Sequence, residues 1–401
     1  MTERLYLSDP DLLEFDAEVV AERTLGDRLA VVLSRTAFYP EGGGQPADRG
    51  VLGEARVVDV QEVDGEVRHA LEGPAPAGRV RGAVDSARRR DHLQQHHGQH
   101  LLSAAFEARL GARTLSFHLG EETCTIDVDL PPARLDAAAL RGVEGAANDL
   151  VFRDLPVTAR EFAPEELASL PLRKEPTKGS RVVVVGEPGA IVDASPCGGT
   201  HPRRTGAVGV IAVLRASKWG AGSRVEFVCG ARVLRLLALA HERLGAASGV
   251  LRCAPAELAP TVERLAAEAA ARRKDVERLA AALADGEAER LAAASPPPAP
   301  IRALVTSPAP GAPAYLKAVA SALAARGRLA LLGAVEDGRA HLCFARPKGP
   351  GPHAGELVKA AAARISGKGG GAPDLAQGSG PDTGALEAAL ADAERAVSPS
   401  A

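Results

Sequence analysis

Short apolar runs separated by Gly, Asp and Pro fill the first 90 residues: Val19-Val20, Leu29 to Leu33, Val51 to Val60 and Val67 to Leu71. Runs of this length predict strands, and together they predict a β-rich, barrel-like domain over 1–90. Between them, Thr36-Ala37-Phe38-Tyr39-Pro40-Glu41-Gly42-Gly43-Gly44-Gln45-Pro46 carries too much Gly and Pro for regular structure and reads as a loop. The period then changes. Residues 91–111 predict a helix whose apolar face continues through Leu101, Leu102, Ala105 and Phe106, with Gly111 as its stop. From Ser116 to Val128 the alternation is that of a strand, 135–151 reads as helix, and strands are expected at 157–162, 181–186, 189–193, 209–214 and 224–228. These elements define an α+β domain over 91–232.

Residues 233–294 are dominated by helix formers. Val262, Leu265, Ala269, Val276, Leu279 and Leu283 repeat at three-four spacing over 256–292, with Arg272 interrupting the seam. A seam of two or three heptads fits a hairpin with the helix near 231–245 as well as it fits a dimer. Ser295-Pro296-Pro297-Pro298-Ala299-Pro300 is a linker. Beyond it, over 301–401, strand 301–305, helix 313–326, strands 328–335 and 339–345 and helices 353–366 and 382–396 predict a small α/β domain. The whole chain is expected to be α+β, and no internal repeat interrupts this order.

Composition adds limits. The 401 residues suit two or three domains, and 46% hydrophobic with 25% charged residues is the balance of a globular protein. Aromatic residues make up only 3%, so Ala, Val and Leu must build the cores. No apolar run approaches the roughly 18 residues of a membrane span, and the N-terminus lacks the pattern of a signal peptide. Five scattered cysteines do not suggest a disulfide framework. A cytoplasmic protein without a membrane partner is the expectation. A net charge of −3 announces no nucleic-acid binder. Any RNA contact has to come from local basic groups: Arg88-Arg89-Arg90, Arg203-Arg204, Lys218 with Arg224, or Lys368 in its Gly-rich stretch.

Two short stretches carry the chemistry. His96 and His100 lie one helical turn apart, so both imidazoles leave one face of the expected helix. Cys197 and His201 bracket Gly198-Gly199-Thr200, a turn able to fold tightly around an ion. One thiolate and three imidazoles suit tetrahedral zinc. The bland alternative is buried histidines bonded to carboxylates, with Cys197 as a small core residue. His92, one turn before His96, could join the same face, whereas His97 is expected to point elsewhere.

At these residues the chain resembles a known family. Phe38-Tyr39-Pro40-Glu41-Gly42-Gly43-Gly44-Gln45 with Asp48 and Gly50, the His96/His100 pair running into Leu101-Leu102-Ser103, and Cys197-Gly198-Gly199-Thr200-His201 look like the editing domain of alanyl-tRNA synthetases and its free-standing relatives, the AlaX proteins. Lys218-Trp219-Gly220 through Arg224-Val225-Glu226-Phe227 is similar to the strand pair that ends that domain. Gly367 to Gly378 resembles the signature of the DHH-associated C-terminal domain of the same synthetases.

The resemblance implies a hydrolase that deacylates tRNA(Ala) wrongly charged with serine, and often glycine, with Zn2+ held by His96, His100, Cys197 and His201. A pocket built for alanine cannot strongly reject a near-isostere, so a second site must clear the errors. Thr36 is placed to read the serine hydroxyl, Gln45 to orient the ester or an attacking water, and Gly42, Gly43 and Gly44 to let the substrate approach. Lys218, Arg224 and Lys368 are the expected tRNA contacts, and the C-terminal region is expected to serve dimerisation. The editing-type loop begins within the first forty residues, which implies a free-standing editing factor without an aminoacylation domain. His97 stands where relatives more commonly have Thr. Zinc could activate a water or anchor the substrate's amino group. The alternative from another class is a non-catalytic, zinc-stabilised module that binds tRNA or oligomerises.

Overall fold

Six strands close on themselves near the N-terminus: β1 (Glu14–Leu25), β2 (Arg28–Leu33), β3 (Gly50–Leu52), β4 (Ala55–Val63), β5 (Glu66–Glu72) and β6 (Arg79–Val84). The barrel runs β1-β2-β5-β4-β3-β6, with β6 pairing back onto β1. Alternate strand residues enter it, with a bulge between Val57 and Asp59, so Phe15, Val31, Leu33, Leu52, Val57, Val60 and Val67 share one core, joined by Phe38 from the loop. The apolar run from Val51 to Val60, which reads as one strand, is a hairpin instead. Leu52 pairs with Ala55 across a two-residue turn in which Gly53 takes a φ of 61°.

The computed structural model describes residues 2–176, 179–307 and 311–398. It divides into two units, Met1–Ala246 and Ala247–Ala401. The barrel expected over 1–90 and the α+β layer expected over 91–232 both lie in the first unit, and the division falls inside the helix that begins at Ala231.

The layer is organised around α1 (Ser86–Leu110). This helix starts five residues before the expected position because the Asp85 side chain accepts from the Ala87 and Arg88 amides at 3.0 Å. It ends at Gly111, whose φ of 65° gives a left-handed cap. Its apolar residues Leu101, Leu102, Ala105 and Phe106 pack with Val143, Ala147 and Val151 of α2 (Ala137–Phe152). Both helices lie on a sheet of order β12-β13-β8-β7, formed by β7 (Thr114–Leu119), β8 (Cys124–Val128), β12 (Ile211–Trp219) and β13 (Gly222–Cys229). The alternating run 116–128 is therefore two antiparallel strands, because Gly120 and the residues after it turn the chain and pair Leu119 with Cys124. A second sheet holds β9 (Val157–Glu161), β10 (Arg181–Glu187) and β11 (Ala190–Pro196) in that order. Its last strand leads directly into Cys197. The helix α3 (Ala231–Leu251) follows β13.

In the second unit, α4 (Leu258–Ala294) buries Ala284, Ala288 and Leu291 near its C-terminal end, whereas Val262, Leu265, Val276, Leu279 and Leu283 of the expected seam are exposed. A five-stranded sheet of order β14-β15-β16-β18-β17 comprises β14 (Ile301–Leu304), β15 (Ala330–Glu336), β16 (Arg339–Ala345), β17 (Lys368–Gly371) and β18 (Leu375–Gly380). Only the β14–β15 pair is parallel within it. One face packs on α4 and on α5 (Ala312–Ala325), the other on α6 (Ala354–Arg364) and α7 (Leu386–Val397). The Gly-rich stretch around Lys368, which resembles the signature of the DHH-associated domain, is the edge hairpin of this sheet. The strands carry glycine because α6 lies close: a Cβ on Gly369 would stand 2.6 Å from Val358 Cγ1 and 2.9 Å from Gly378 Cα.

Candidate metal centre

Helix α1 presents His96 and His100 on one face, with ring centroids 5.4 Å apart. The turn after β11 brings Cys197 and His201 to them, so that one donor atom from each of the four residues lies within 4.8 Å of the others. Cys197 Sγ stands 3.2 Å from His96 Nε2 and 3.3 Å from His201 Nε2. The three histidines are buried, and only Cys197 keeps partial exposure. The turn depends on Gly199, where a Cβ would meet His96 Cε1 at 2.1 Å, whereas Gly198 faces open space. Arg181 of β10 clamps the same turn, donating from Nη1 to the Cys197 and Gly199 carbonyls at 2.6 and 2.9 Å.

Each imidazole turns its other nitrogen toward a further group. Gln45 Oε1 lies 2.7 Å from His96 Nδ1 and also accepts from the Thr200 amide, while Gln45 Nε2 donates to Thr200 Oγ1. An amide oxygen only accepts, so His96 carries its proton on Nδ1 and keeps a lone pair on Nε2. His100 Nδ1 faces Asp193 Oδ2 at 3.9 Å, a charge-pair distance rather than a hydrogen bond. Asp193 is itself held by Arg173 at 2.9 Å. His201 Nδ1 lies 3.1 Å from His97 Nδ1.

Electrostatics match a cation-binding role. Burial opposes a thiolate at Cys197, but His96, His201 and the hydrogen bonds of His100 and His201 outweigh it and hold the thiol well below its usual range. Burial pushes His201 down to about 3, so its imidazole stays neutral with a lone pair to offer. At His100 burial disfavours the charged ring, but Asp193 and Cys197 outweigh it and raise its pKa. A sulfur held toward the thiolate and three imidazoles, buried and backed by further groups, are a donor set of the kind zinc takes.

The loop expected to be substrate-facing is fastened to α1. Asp48 accepts from the Tyr39 amide at 2.8 Å and pairs with Arg89 at 2.5 Å, both side chains being buried. Arg89 also donates to the Ala37 and Pro10 carbonyls. Gly42 pairs with Gln45 across a tight turn in which Gly43 and Gly44 take φ values of 55° and 82°. Gly44 sits under Phe117, whose ring neighbours that of His96 at 5.6 Å. Thr36 is fully buried. Its hydroxyl lies 2.8 Å from His69 Nε2, while His69 Nδ1 faces the Val31 carbonyl at 3.0 Å. The carbonyl fixes a proton on Nδ1, so the Thr36 hydroxyl donates to His69. It also accepts from the Phe38 amide at 3.1 Å.

The other expected residues are dispersed. His92 does not join the cluster; its Nδ1 lies 4.0 Å from Asp48 Oδ1. His97, expected to point away, is buried against His201. Arg224 is committed to Asp127 at 2.7 Å and stacks 3.4 Å over the Trp219 ring. Lys218 on β12 and Lys368 on β17 are exposed. A cleft of about 1430 Å³ runs past Gly44, Gln45, Arg49, Arg88, His92 and His118, touching the Gly-rich loop but none of the four donors. Sequence reasoning missed His69 and Asp193. The signal for Asp193 was available, since an acid within the apolar stretch Ile191-Val192-Asp193-Ala194 needs a partner when buried.

Comparison with known proteins adds three matched segments. Residues 11–88 match the family "tRNA synthetases class II (A)", 180–225 the "Threonyl and Alanyl tRNA synthetase second additional domain", and 312–398 the "DHHA1 domain". The alanyl-tRNA editing protein AlaX-L of Pyrococcus horikoshii is 38% identical over 279 residues, covering 66% of each chain. Alanine–tRNA ligases of Methanothrix thermoacetophila and Halorubrum lacusprofundi are 33% and 35% identical over 408 residues, 97% of this chain but 44% and 43% of theirs. The chain thus spans about two thirds of the editing protein and under half of each ligase. These matches place it among proteins that share domains with alanyl- and threonyl-tRNA synthetases. Within that class it belongs to the AlaX-type alanyl-tRNA editing family.

Proposed function

We infer that the cluster of His96, His100, Cys197 and His201 holds zinc and that the chain hydrolyses the aminoacyl ester of tRNA(Ala) carrying serine, or glycine. The observation that carries this reading is the convergence of the four donors within 4.8 Å, with the Gln45 end of the Gly-rich loop bonded to one of them. Bound zinc supplies a Lewis acid that polarises a water or holds the substrate's amino group. The protein's own residues do the rest. Thr36 donates a hydrogen bond to His69 and accepts one from the Phe38 amide, and its remaining lone pair accepts from a serine hydroxyl; alanine has nothing to offer there. Gln45 orients His96, its amide being largely committed to that ligand and to Thr200. Gly42, Gly43 and Gly44 keep side chains out of the approach to the site. Lys218 meets a tRNA phosphate, with Arg224 supporting the neighbouring strand through Asp127 and Trp219, and Lys368 meets another from the second unit. Dimerisation through the C-terminal region and action in the cytoplasm complete the proposal.

Four protein donors also suit a purely structural zinc, which favours a second reading, a module that binds tRNA without cleaving it. Deacylation of Ser-, Gly- and Ala-tRNA(Ala), with metal content measured in the same preparation, separates the two. The editing reading expects loss of the serine ester, little loss of alanine, and a Thr36→Val variant that keeps its zinc but loses at least tenfold of its serine preference. Zinc-loaded protein that leaves Ser-tRNA(Ala) intact would sink it.

A further inference from the structure

We propose that His97 is a positioning residue for the metal: its imidazole fixes the tautomer and ring orientation of ligand His201. The proposal rests on reading the four-residue cluster as a metal centre.

His201 turns Nε2 toward Cys197 Sγ and Nδ1 toward His97 Nδ1, at 3.3 and 3.1 Å. A nitrogen that binds a metal must present a lone pair, so a neutral His201 must carry its proton on Nδ1. The acceptor in line for that proton is His97 Nδ1, and His97 then carries its own proton on Nε2. The opposite arrangement, with His97 donating, would force the His201 proton onto Nε2, facing the sulfur, and would close that nitrogen to a metal. The pair therefore has two tautomeric arrangements, and only one of them is ready for a ligand role.

The surroundings hold the ring for this task. His97 is fully buried. It stacks at 20° on His100 with centroids 6.3 Å apart, and meets the edge of His201 at 5.3 Å. Its Nε2 is buried and has no hydrogen-bond partner among the described residues. An imidazole placed only to fill space would be expected to satisfy both nitrogens, because an unpaired buried polar atom is costly. Here one nitrogen goes without a partner while the other meets the ligand. The arrangement also completes a pattern in which each histidine donor has one group behind it: Gln45 for His96, Asp193 for His100 and His97 for His201. Outer groups of this kind typically change metal affinity by about 10–100-fold when lost.

The test uses the full chain stripped of metal and titrated with Co2+ alone, whose visible absorption reports ligand geometry. His97→Gln and His97→Met fill similar space, but only glutamine offers an oxygen that can accept the His201 proton. His97→Met should bind Co2+ about 10–100-fold more weakly, with altered ligand-field bands, whereas His97→Gln should recover most of the wild-type affinity and spectrum. Equal behaviour of the two variants, whether both like wild type or both impaired, would overturn the role of the acceptor. Thermal unfolding of the metal-free proteins separates packing from positioning: a difference in Co2+ affinity that merely follows a difference in metal-free stability also counts against the proposal. Wild-type protein that takes up no Co2+ overturns the metal-centre reading itself, and this role falls with it.

Discussion

Gly42-Gly43-Gly44 and Gly369-Gly370-Gly371 are each three glycines beside a polar residue expected to touch substrate, Gln45 in one case and Lys368 in the other. In the first unit the glycines serve conformation. Gly43 and Gly44 occupy the left-handed region, the chain reverses within four residues, and Gln45 is delivered to His96. In the second unit the stretch is a paired strand, and Gly369 is bare because helix α6 and the neighbouring strand leave no room for a Cβ. A glycine run thus says that backbone approaches something closely. Only the tertiary structure says whether that something is a site or a packed helix.

The sharpest way to break the comparison is acid. The first unit buries His69 and His92, and burial pushes both down to about 4, whereas His341 and His353 of the second unit are not buried. Between pH 6.5 and 4 the unfolded chain holds a proton on each buried histidine that the native first unit rejects, so stability falls as pH falls through this window and levels off below it. His69 alone accounts for about 3 kcal/mol. Thermal unfolding of metal-free protein from pH 7.5 to 4 should show the first unit's transition dropping well ahead of the second's, with His69→Gln flattening the dependence. Parallel loss in both units would remove this contrast.

A crossed pair of glycine substitutions tests the contrast directly. Gly369→Ala forces its methyl against Val358 and the Gly378 backbone and should cost the second unit about 1–3 kcal/mol, with metal affinity unchanged. Gly44→Ala must adopt a φ of 82° and displace Phe117 from beside His96. That should weaken metal binding several-fold, and the conformational cost to the first unit is about 1 kcal/mol. Calorimetry of each unit's transition together with a Co2+ titration reads both effects. Metal affinity that falls as far in Gly369→Ala as in Gly44→Ala would erase the distinction.

What the sequence made legible follows the range of the forces involved. The His96/His100 spacing and the Cys197/His201 turn are local patterns, and helix geometry with a glycine turn is enough to place each pair on one side of its element. Gly111 likewise announces its own cap. The partners behind the ligands were hidden because they are set by long-range packing: Asp193 faces His100 from strand β11, and His97 meets a residue 104 positions away. The strands misread as one, 51–60 and 116–128, failed for a related reason. Their alternation survives a tight turn, so period alone does not reveal the reversal. The hairpin at Lys368 was hidden because its residues have little strand propensity; backbone pairing and the proximity of α6 overrode it.

The smallest expected effect concerns Lys368 itself. As the first residue of an edge strand, its ammonium is exposed, and a contact with a tRNA phosphate would come from a solvated point charge worth little in isolation. Lys368→Ala should therefore lower tRNA affinity only about three- to fivefold at physiological salt, while reducing the slope of log K against log salt by about 0.7–0.9. The slope is the decisive measurement because a general loss of stability would weaken binding without releasing one fewer counterion. Filter binding from low to moderate salt, with Lys218→Ala in parallel, gives both slopes. If the Lys368→Ala slope equals that of wild type, the hairpin makes no phosphate contact and its glycines serve the sheet alone.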